Sequence, residues 1–415
     1  MIPWGERLGY RYKKPRWAIL AKVVDTAISP VGRIVKARAY RKSAIERLLV
    51  IRLDHIGDLL CSFPAIRALR RKFASAHISL LVGPWCEEMA QLTEDVDEVI
   101  IYRAPWFDRQ RESNHPLVSI GIMLIGARML SQRRFDAAVD LRGDLRNILL
   151  MALSRIPMRV GYSDVGGKFM LTHPVRRNRW QHEVFRALSV VQAIGCNGSE
   201  DGTIELHPPS EALHRTAMML SKLGLDEAPF LVVIHPFGGN PAKWWTVDGF
   251  VELCHYLRRH IGAAIILTGS PNERQMVERI RQLSGEVAFN LAGALSLHDL
   301  IALVSLADCV ITVDTCTMHF AAALGTPQVV IFSSQVHAVE WAPIQGHHVL
   351  LHAPPDCAGC ELPVCPLPNH PCMSSITAEH VVEALHRLMP IINERMATRR
   401  MRLCQAANTP VEENS

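Results

Sequence analysis

From Arg47 onward, short apolar runs alternate along the chain with longer stretches in which apolar residues recur every three or four positions. The short runs predict buried strands, and the longer stretches predict helices. In the first half the pattern predicts strands at 48–51, 78–82, 99–102 and 137–141, and helices at 59–71, 117–131, 145–154 and 183–194. This alternation is typical of a parallel, doubly wound α/β sheet.

The alternation stops at residues 195–210, which are polar and rich in Gly and Pro, and then begins again. The second half predicts strands at 230–234, 263–267, 309–313 and 328–332, and helices at 247–259, 272–283, 297–306, 319–324 and 378–388. We therefore predict a linker between two α/β domains, residues 45–208 and 209–390, and a polar, frayed C-terminal tail, residues 391–415. In such sheets, ligands bind beyond the carboxyl ends of the strands.

The composition is typical of globular proteins, with 49% hydrophobic and 20% charged residues among 415. No stretch reaches the roughly 18 consecutive apolar residues that indicate a membrane-spanning helix. The best candidate, residues 117–130, ends near Arg133 and Arg134, and we expect it to form a buried helix. Most of the 11 cysteines stand singly in apolar segments. That distribution favours a reducing compartment.

The net charge of +5 is concentrated at the N-terminus. Residues 1–42 hold 11 Lys or Arg and two acids, a net +9, so the remainder carries a net −4. Within the extension, residues 1–44, apolar residues recur at helical spacing: Trp17, Leu20, Val24 and Ile28. A basic amphipathic helix suits adsorption to an anionic membrane surface; the alternative is a helix packed on the globular core with a solvated basic face. The acidic remainder argues against nucleic acid as a partner.

The first predicted strand runs into IRLDHIGDLL, residues 51–60, which places two carboxylates and an imidazole in one turn. Gly57 permits a tight turn, and Asp58 begins the next helix. A carboxylate there either caps backbone N–H groups or, with an ordinary pKa of about 3.9, is ionised and accepts a proton as a general base. For Asp54 and His55 we favour a structural role in the turn.

A second loop, HPFGGNPAKWW, residues 235–245, follows the first strand of the second half. Small residues such as Gly238 bring the backbone close to a ligand, and Lys243 supplies a mobile cation that suits a phosphate. The alternative for Lys243 is a surface lysine. The loop is not a P-loop, and the sequence contains no GxGxxG, GxSxG or HExxH, which leaves little support for a dinucleotide dehydrogenase, a serine hydrolase or a zincin.

Two further loops follow strands of the second half. In VDTCTMHFAAALGTP, residues 313–327, Asp314 and Thr315 open a helix whose N-terminus either binds an anion or is merely capped. In LTGSPNER, residues 267–274, Glu273 either bonds ribose hydroxyls or favours its own helix N-terminus.

Four segments, together with a late cysteine cluster, resemble glycosyltransferase family 9, the ADP-heptose:lipopolysaccharide heptosyltransferases. The segments are LLVIRLDHIGDLLCSFPAIRALR, DLRGDLRNILLMALSRIPMRVGY, HPFGGNPAKWW and LAGALSLHDLIALVSLADCVITVDTCTMHFAAALGTP. The resemblance runs in order from residue 48 to residue 388. It implies a GT-B fold, in which two Rossmann-like doubly wound domains face a central cleft, and an inverting single-displacement transfer that requires no cofactor.

The resemblance also implies roles for individual residues. Asp58 would be the base for the acceptor hydroxyl, and Lys243 would stabilise the leaving diphosphate. The nucleotide-sugar donor, ADP-heptose, would be bound by Gly238, Lys243, Glu273, Asp314, Thr315, Cys316 and His319. The acceptor would be a lipid-linked saccharide of the lipopolysaccharide inner core, which implies a cytoplasmic protein, peripheral on the inner face of the inner membrane. No acceptor residue is readable, because surface charge explains Arg109, Arg111 and Lys168 as well as an anionic acceptor does.

Cys316 departs from the family pattern, which commonly has Gly at this position. A side chain there could crowd the phosphates, so a family 9 transferase with a different nucleotide sugar or acceptor stays open. A third hypothesis is a catalytically inactive nucleotide-binding or scaffold protein. Retention of both Asp58 and Lys243 argues against it.

The late sequence CAGCELPVCPLPNHPC brings four cysteines close together: Cys357, Cys360, Cys365 and Cys372. The C-x2-C spacing is half of a zinc signature, but the remaining spacings are irregular for a zinc ribbon. A structural zinc is therefore one alternative, and free thiols or a redox-labile pair are the others.

Overall fold

The computed structural model describes residues 45–107, 116–196 and 201–408, and five isolated positions, Ile19, Lys22, Val23, Asp25 and Thr26. The residues that predict the amphipathic N-terminal helix, and also Arg109 and Arg111, lie outside the described residues. The chain divides into two compact units between Ile204 and Glu205. That division falls inside the predicted linker.

The first unit contains a six-stranded parallel sheet in the order β3-β2-β1-β4-β5-β6. The strands are β1 (Arg47–Ile51), β2 (His77–Val82), β3 (Glu98–Ile101), β4 (Ala137–Asp140), β5 (Met158–Tyr162) and β6 (His173–Val175). The α-helices are α1 (Ile56–Leu60), α2 (Phe63–Lys72), α3 (Glu87–Ala90), α4 (Pro116–Gln132), α5 (Leu145–Leu153) and α6 (Glu183–Gln192), and short 3-10 turns lie at Pro84–Cys86 and Lys168–Met170.

The second unit repeats this sheet, in the order β9-β8-β7-β10-β11-β12. Its strands are β7 (Leu231–His235), β8 (Ala264–Leu267), β9 (Ala288–Asn290), β10 (Cys309–Val313), β11 (Gln328–Phe332) and β12 (His348–His352). Its α-helices are α7 (Ser210–Lys222), α8 (Val247–Tyr256), α9 (Arg274–Leu283), α10 (Leu297–Leu306), α11 (Cys316–Ala323), α12 (Ala338–Trp341), α13 (Pro371–Ser374) and α14 (Ala378–Asn408), with shorter turns at Pro241–Lys243, Leu257–Ile261 and Pro271–Glu273.

Each sheet therefore has the doubly wound Rossmann-like order expected of a GT-B protein, which confirms the predicted α/β fold class. The strand order reverses between β1 and β4 in the first sheet and between β7 and β10 in the second. Ligands of such sheets bind outside the carboxyl ends of the strands at this reversal. The central strands β7, β10 and β11 are buried throughout, which explains why they are continuous apolar runs rather than alternating ones.

The structure differs from the sequence prediction at several elements. Strands β5, β6, β9 and β12 and helix α7 were not predicted; β6 and β9 have only three residues each, and β12 is a half-buried edge strand. In place of a polar, frayed tail over residues 391–415, α14 continues to Asn408 and buries Ile392 and Leu403. The expectation of a buried helix at 117–130 is wrong for one face of α4, which exposes five large apolar side chains. Within the described part of the chain, no helix is both long and apolar enough to cross a bilayer.

Candidate functional site

The carboxyl end of β1 carries a cluster of charged side chains around the fully buried Arg52. Its Nη2 lies 2.8 Å from Oε1 of Glu183 and 3.5 Å from Oδ1 of Asp58. Oδ2 of Asp54 lies 4.0 Å from the same nitrogen and 3.7 Å from Nε of Arg142. Three carboxyl groups therefore surround two guanidinium groups at the point where the first sheet reverses its strand order.

Asp58 is in the first turn of α1, but it does not cap that helix, because the N-cap position belongs to His55. Burial raises the pKa of Asp58 to about 8; the charges of Asp54 and Glu183 add to the rise, and Arg52 opposes it. The sequence predicts that Asp58 is ionised at neutral pH, whereas in the structure its carboxyl group titrates near pH 8. Such a pKa suits proton transfer, because both protonation states are accessible.

Glu183 and Arg52 were missed by sequence reasoning. Burial alone would raise the pKa of Glu183, but Arg52 and Arg177 together hold it below its usual range. Glu183 is therefore the ionised partner of Arg52, which leaves Asp58 as the carboxyl that exchanges a proton near neutral pH. The available signal was Arg52 itself, because an arginine that continues a buried strand needs a buried acidic partner.

The backbone of the β1 turn is fixed by neighbouring side chains. The carbonyl oxygen of Asp54 accepts hydrogen bonds from Nε1 of Trp85 at 2.7 Å and from Sγ of Cys86 at 3.4 Å. The His55 ring packs against the Phe107 ring with their centroids 4.9 Å apart. These contacts support a structural role for Asp54 and His55.

The loop after β4 positions Arg142 beside this turn. Asp140, the last residue of β4, accepts hydrogen bonds from the backbone N–H groups of Arg142, Gly143 and Asp144 at 3.1–3.2 Å. The Arg142 guanidinium then lies 4.1 Å from the centroid of the Phe107 ring. Sequence reasoning missed Arg142 too, although it lies within the quoted DLRGDLRN segment.

In the second unit, the loops after β7 and β10 meet through an ion pair. Nζ of Lys243 lies 2.8 Å from Oδ2 of Asp314, whose side chain is only 5% exposed. Lys243 ends the short turn Pro241–Lys243, and Asp314 directly follows β10. Lys243 is thus held at the strand-order reversal of the second sheet, which favours the binding-site interpretation over that of a surface lysine.

The same two loops are in close contact at Gly238 and Thr315. A Cβ atom on Gly238 would lie 2.7 Å from Cγ2 of Thr315, so only glycine fits without displacement. Thr315 is the N-cap residue of α11, but its side chain makes no capping hydrogen bond. Its Oγ1 lies 3.2 Å from Oγ1 of Thr312 instead. The first N–H groups of α11 therefore point out of the helix without a bond to the cap side chain, as an anion site requires.

The remaining predicted donor residues surround this loop pair. Oε2 of Glu273 accepts a 2.7 Å hydrogen bond from the Ser270 backbone N–H and completes a capping box. Glu273 therefore stabilises the N-terminus of its own helical turn, which is one of the two roles considered for it. Burial raises the pKa of Cys316 to about 11, and the charge of Glu273 adds to that rise. His319 is buried in α11, with its ring centroid 6.4 Å from that of Trp341.

His235 is a further residue that sequence reasoning passed over, although it opens the quoted HPFGG segment. It ends β7, and its Nδ1 lies 2.9 Å from Oγ1 of Thr268. Burial lowers the pKa of His235, and the nearby Glu273 carboxylate opposes that change. The imidazole is therefore a neutral hydrogen-bonding group next to Glu273.

The late cysteines are free thiols, with Cys372 buried and Cys357 exposed. Within residues 45–107, 116–196 and 201–408, no three or more His, Cys, Asp or Glu side chains are arranged to hold a metal ion. The structural-zinc alternative gains no support from this geometry.

The family model described as glycosyltransferase family 9 (heptosyltransferase) matches residues 125–369. Lipopolysaccharide heptosyltransferase 2 of Salmonella typhimurium is 25% identical over 299 residues, which cover 69% of this chain and 82% of that protein. A family 9 glycosyl transferase structure from Veillonella parvula aligns with a TM-score of 0.72 and 21% identity, covering 84% of this chain and 99% of the other. The Escherichia coli ADP-heptose LPS heptosyltransferase II structure gives a TM-score of 0.66 and 20% identity, with coverage of 84% and 99%.

Proposed function

The chain belongs to glycosyltransferase family 9, the heptosyltransferase family, and on that premise we propose that it transfers a heptose from ADP-heptose to a lipopolysaccharide inner-core acceptor. The observation that carries the proposal is the Lys243–Asp314 ion pair beside the N-terminus of α11. A cation and outward-pointing helix N–H groups together suit a diphosphate. The names of the Escherichia coli structure and the Salmonella typhimurium relative support the donor and the acceptor class.

The reaction we propose is a single displacement. Asp58 takes the proton of an acceptor hydroxyl, and the resulting nucleophilic oxygen forms a bond to the anomeric carbon of the heptose. The bond between that carbon and the diphosphate oxygen breaks, and ADP leaves with the electron pair. Attack from the face opposite the leaving group inverts the anomeric configuration. General-base catalysis of this kind typically contributes about 10²–10⁴-fold to the rate.

Lys243 has two roles in the donor site that we propose. Without ligand, Lys243 compensates the buried carboxylate of Asp314 at 2.8 Å. With ADP-heptose bound, Lys243 also contacts the diphosphate and stabilises the charge that develops as ADP leaves. Thr315 and the α11 N–H groups bind the phosphates, and Gly238 lets the backbone approach them closely. Glu273 accepts hydrogen bonds from the ribose hydroxyl groups, and His319 contacts the heptose.

A second candidate keeps the reaction and changes the nucleotide sugar. Cys316 is the first residue of α11, so its side chain lies at the helix end that we assign to the phosphates. Its thiol stays protonated, because burial raises its pKa to about 11. A neutral side chain at that point reduces the room for the donor without adding charge.

The acceptor we propose is lipid-linked, and the protein would work as a peripheral protein on the cytoplasmic face of the inner membrane. The basic residues of segment 1–44 support attraction to anionic lipid, at about 1 kcal/mol for each basic residue near the surface.

The test is calorimetric titration of wild type, Lys243→Ala and the exposed control Lys222→Ala with ADP, GDP, UDP and CDP. We expect ADP to bind best to wild type and to Lys222→Ala, and Lys243→Ala to lose about 10–100-fold in affinity, the worth of a charge-assisted contact to phosphate. Preference for another nucleotide would keep the transferase and change the donor. Absence of binding to all four would overturn the donor site and leave the inactive-scaffold alternative.

A further inference from the structure

Helix α4 presents a broad apolar face to solvent. Five large apolar side chains on it are exposed, including Leu117 at 70% and Ile125 at 71% of their full accessibility. We call these residues the α4 apolar face: Leu117, Val118, Ile120, Leu124 and Ile125. At 100° per residue they span about 160° of the helix circumference, which is the width of a stripe that normally packs against a core.

The opposite side of α4 is firmly attached to the first unit. A Cβ atom on Gly126 would lie 2.6 Å from the Tyr102 ring, so the helix backbone packs directly on that ring. Ala127 and Leu130 are buried in the core of the unit. A Cβ atom on Gly121, within the α4 apolar face, would meet nothing within 4 Å. The helix is therefore held with this face outward, and rotation to bury it would undo the Gly126 contact.

The charged residues of α4 and of the residues directly after it have one sign. No Asp or Glu occurs from Pro116 to Phe135, and the helix has one charged residue, Arg128. Arg128 is exposed and projects from the centre of the apolar stripe, and Arg134 is exposed just beyond the helix. Arg133 is paired with Glu98 and does not add to this charge. An apolar helix face that carries an exposed arginine and no acid of its own complements the surface of an anionic bilayer.

We propose that the α4 apolar face is where the first unit docks on an anionic membrane surface. The apolar side chains enter the boundary between headgroups and acyl chains, and the Arg128 guanidinium reaches back to lipid phosphates along its aliphatic stem. This extends the membrane association in the proposed function, but it needs neither the donor nor the acceptor assignment. Vesicle binding requires no nucleotide, so its failure and the failure of the donor site are separate results.

The test is co-sedimentation of the full-length protein with vesicles of phosphatidylethanolamine and phosphatidylglycerol, and with vesicles of phosphatidylcholine alone. We expect Leu124→Ser/Ile125→Ser to lower the partition constant on anionic vesicles by about tenfold or more, because two exposed aliphatic side chains no longer enter the bilayer. We expect Arg128→Glu to lower it several-fold on anionic vesicles only. The control Met218→Ser/Leu283→Ser removes two comparably exposed apolar side chains from the second unit and leaves binding unchanged.

Three results would overturn the proposal. The first is that wild type does not bind anionic vesicles. The second is that Leu124→Ser/Ile125→Ser binds them as wild type does, while deletion of residues 1–42 abolishes binding. The third is that the double variant changes the oligomeric state in light scattering without changing vesicle binding. The last result would identify the α4 apolar face as a contact between copies of the chain. Circular dichroism and thermal unfolding of each variant report whether the fold is intact, and neither measurement depends on the donor assignment.

Discussion

Nη2 of Arg52 lies 3.5 Å from Oδ1 of Asp58, and Arg52 is fully buried. Burial and the charges of Asp54 and Glu183 raise the pKa of Asp58, and the charge of Arg52 lowers it. The resulting pKa of Asp58 is about 8. The guanidinium therefore keeps the base usable near neutral pH in a place where burial alone would hold it protonated.

Asp58→Asn is expected to reduce kcat by about 10²–10⁴-fold, because the proton acceptor is lost while the side-chain volume is kept. ADP affinity is expected to stay at the wild-type value, since the donor site we propose is in the second unit. In wild type, kcat/KM is expected to rise with pH and level off above about 8, where Asp58 becomes ionised. The measurement is steady-state kinetics between pH 5.5 and 9.5, with Asp248→Asn, an exposed aspartate in α8, as control. Retention of kcat within a few-fold would remove Asp58 from the chemistry.

The same substitution is expected to stabilise the protein at neutral pH. The pKa of Asp58 is about 8 in the folded state against 3.8 as the ordinary value. The folded state therefore binds this proton more tightly, and its stability falls as the pH rises from about 4 to about 8. Asp58→Asn escapes that loss, so its free energy of unfolding should exceed that of wild type by about 1–3 kcal/mol at pH 7.5 and by less at pH 5. Urea denaturation at the two pH values checks this, and a difference that does not depend on pH would contradict the assigned pKa.

Glu183→Gln tests the positioning role of the second carboxylate. Glu183 raises the pKa of Asp58 and lies 2.8 Å from Nη2 of Arg52. Its neutralisation makes Asp58 the principal partner of Arg52, so the acidic limb of the pH–rate profile is expected to move to lower pH. The plateau kcat should change by only a few-fold, because the base itself is retained. An unmoved limb with a reduced plateau would indicate a merely structural Glu183.

The carboxyl end of β1 shows how much of this protein can be predicted from its sequence. The apolar run 48–51 and the Gly57-Asp58 turn identify the strand, its helix and the candidate base, because burial and tight turns impose local residue patterns. Glu183 comes from a helix 131 residues after Arg52, so only the fold brings the two side chains together. The pKa of Asp58 is raised chiefly by burial, with Asp54 and Glu183 adding to the rise, and burial at this depth is a property of the fold that the local sequence does not show.

Helix α4 shows the same limit in another form. Its apolar content predicts a helix but not how much of that helix is covered, because coverage depends on what packs against each face. The Gly126–Tyr102 contact decides which face of α4 is buried, and it joins the helix to the residue that directly follows β3.

Gly238→Ala is expected to weaken ADP binding by about tenfold, because its Cβ would lie 2.7 Å from Cγ2 of Thr315 and displace the N-cap residue of α11. Thr315→Ser lacks that methyl group, so Gly238→Ala/Thr315→Ser should recover most of the affinity. Calorimetry on the single and double variants measures the recovery, with Gly121→Ala, where the added methyl meets open space, as control. A double variant as weak as Gly238→Ala would show that the contact is not what excludes a side chain.

Arg399→Ala tests whether the C-terminal half of α14 is part of the second unit. Arg399 forms an ion pair with Asp308, which is fully buried, and Oδ2 of Asp308 also accepts a 2.8 Å hydrogen bond from the backbone N–H of Leu231 in β7. Loss of the guanidinium leaves this carboxylate with Arg402 at 3.5 Å and with the nearby charge of Arg395. We expect a loss of about 2–4 kcal/mol in the free energy of unfolding, below the full value for a broken buried pair because Arg402 remains.

The matched control for Arg399→Ala is its neighbour Arg400→Ala. Arg400 is 86% exposed and lies 3.8 Å from the equally exposed Glu227, so its removal should change the free energy of unfolding by less than about 0.5 kcal/mol. Chemical denaturation of both variants measures the difference. A chain that ends at residue 390 should be destabilised more than Arg399→Ala, because it also loses the buried Ile392 and Leu403. Equal stability of the shortened and full-length chains would support the frayed tail that the sequence predicts. Removal of a helix that packs in the core must lower the free energy of unfolding.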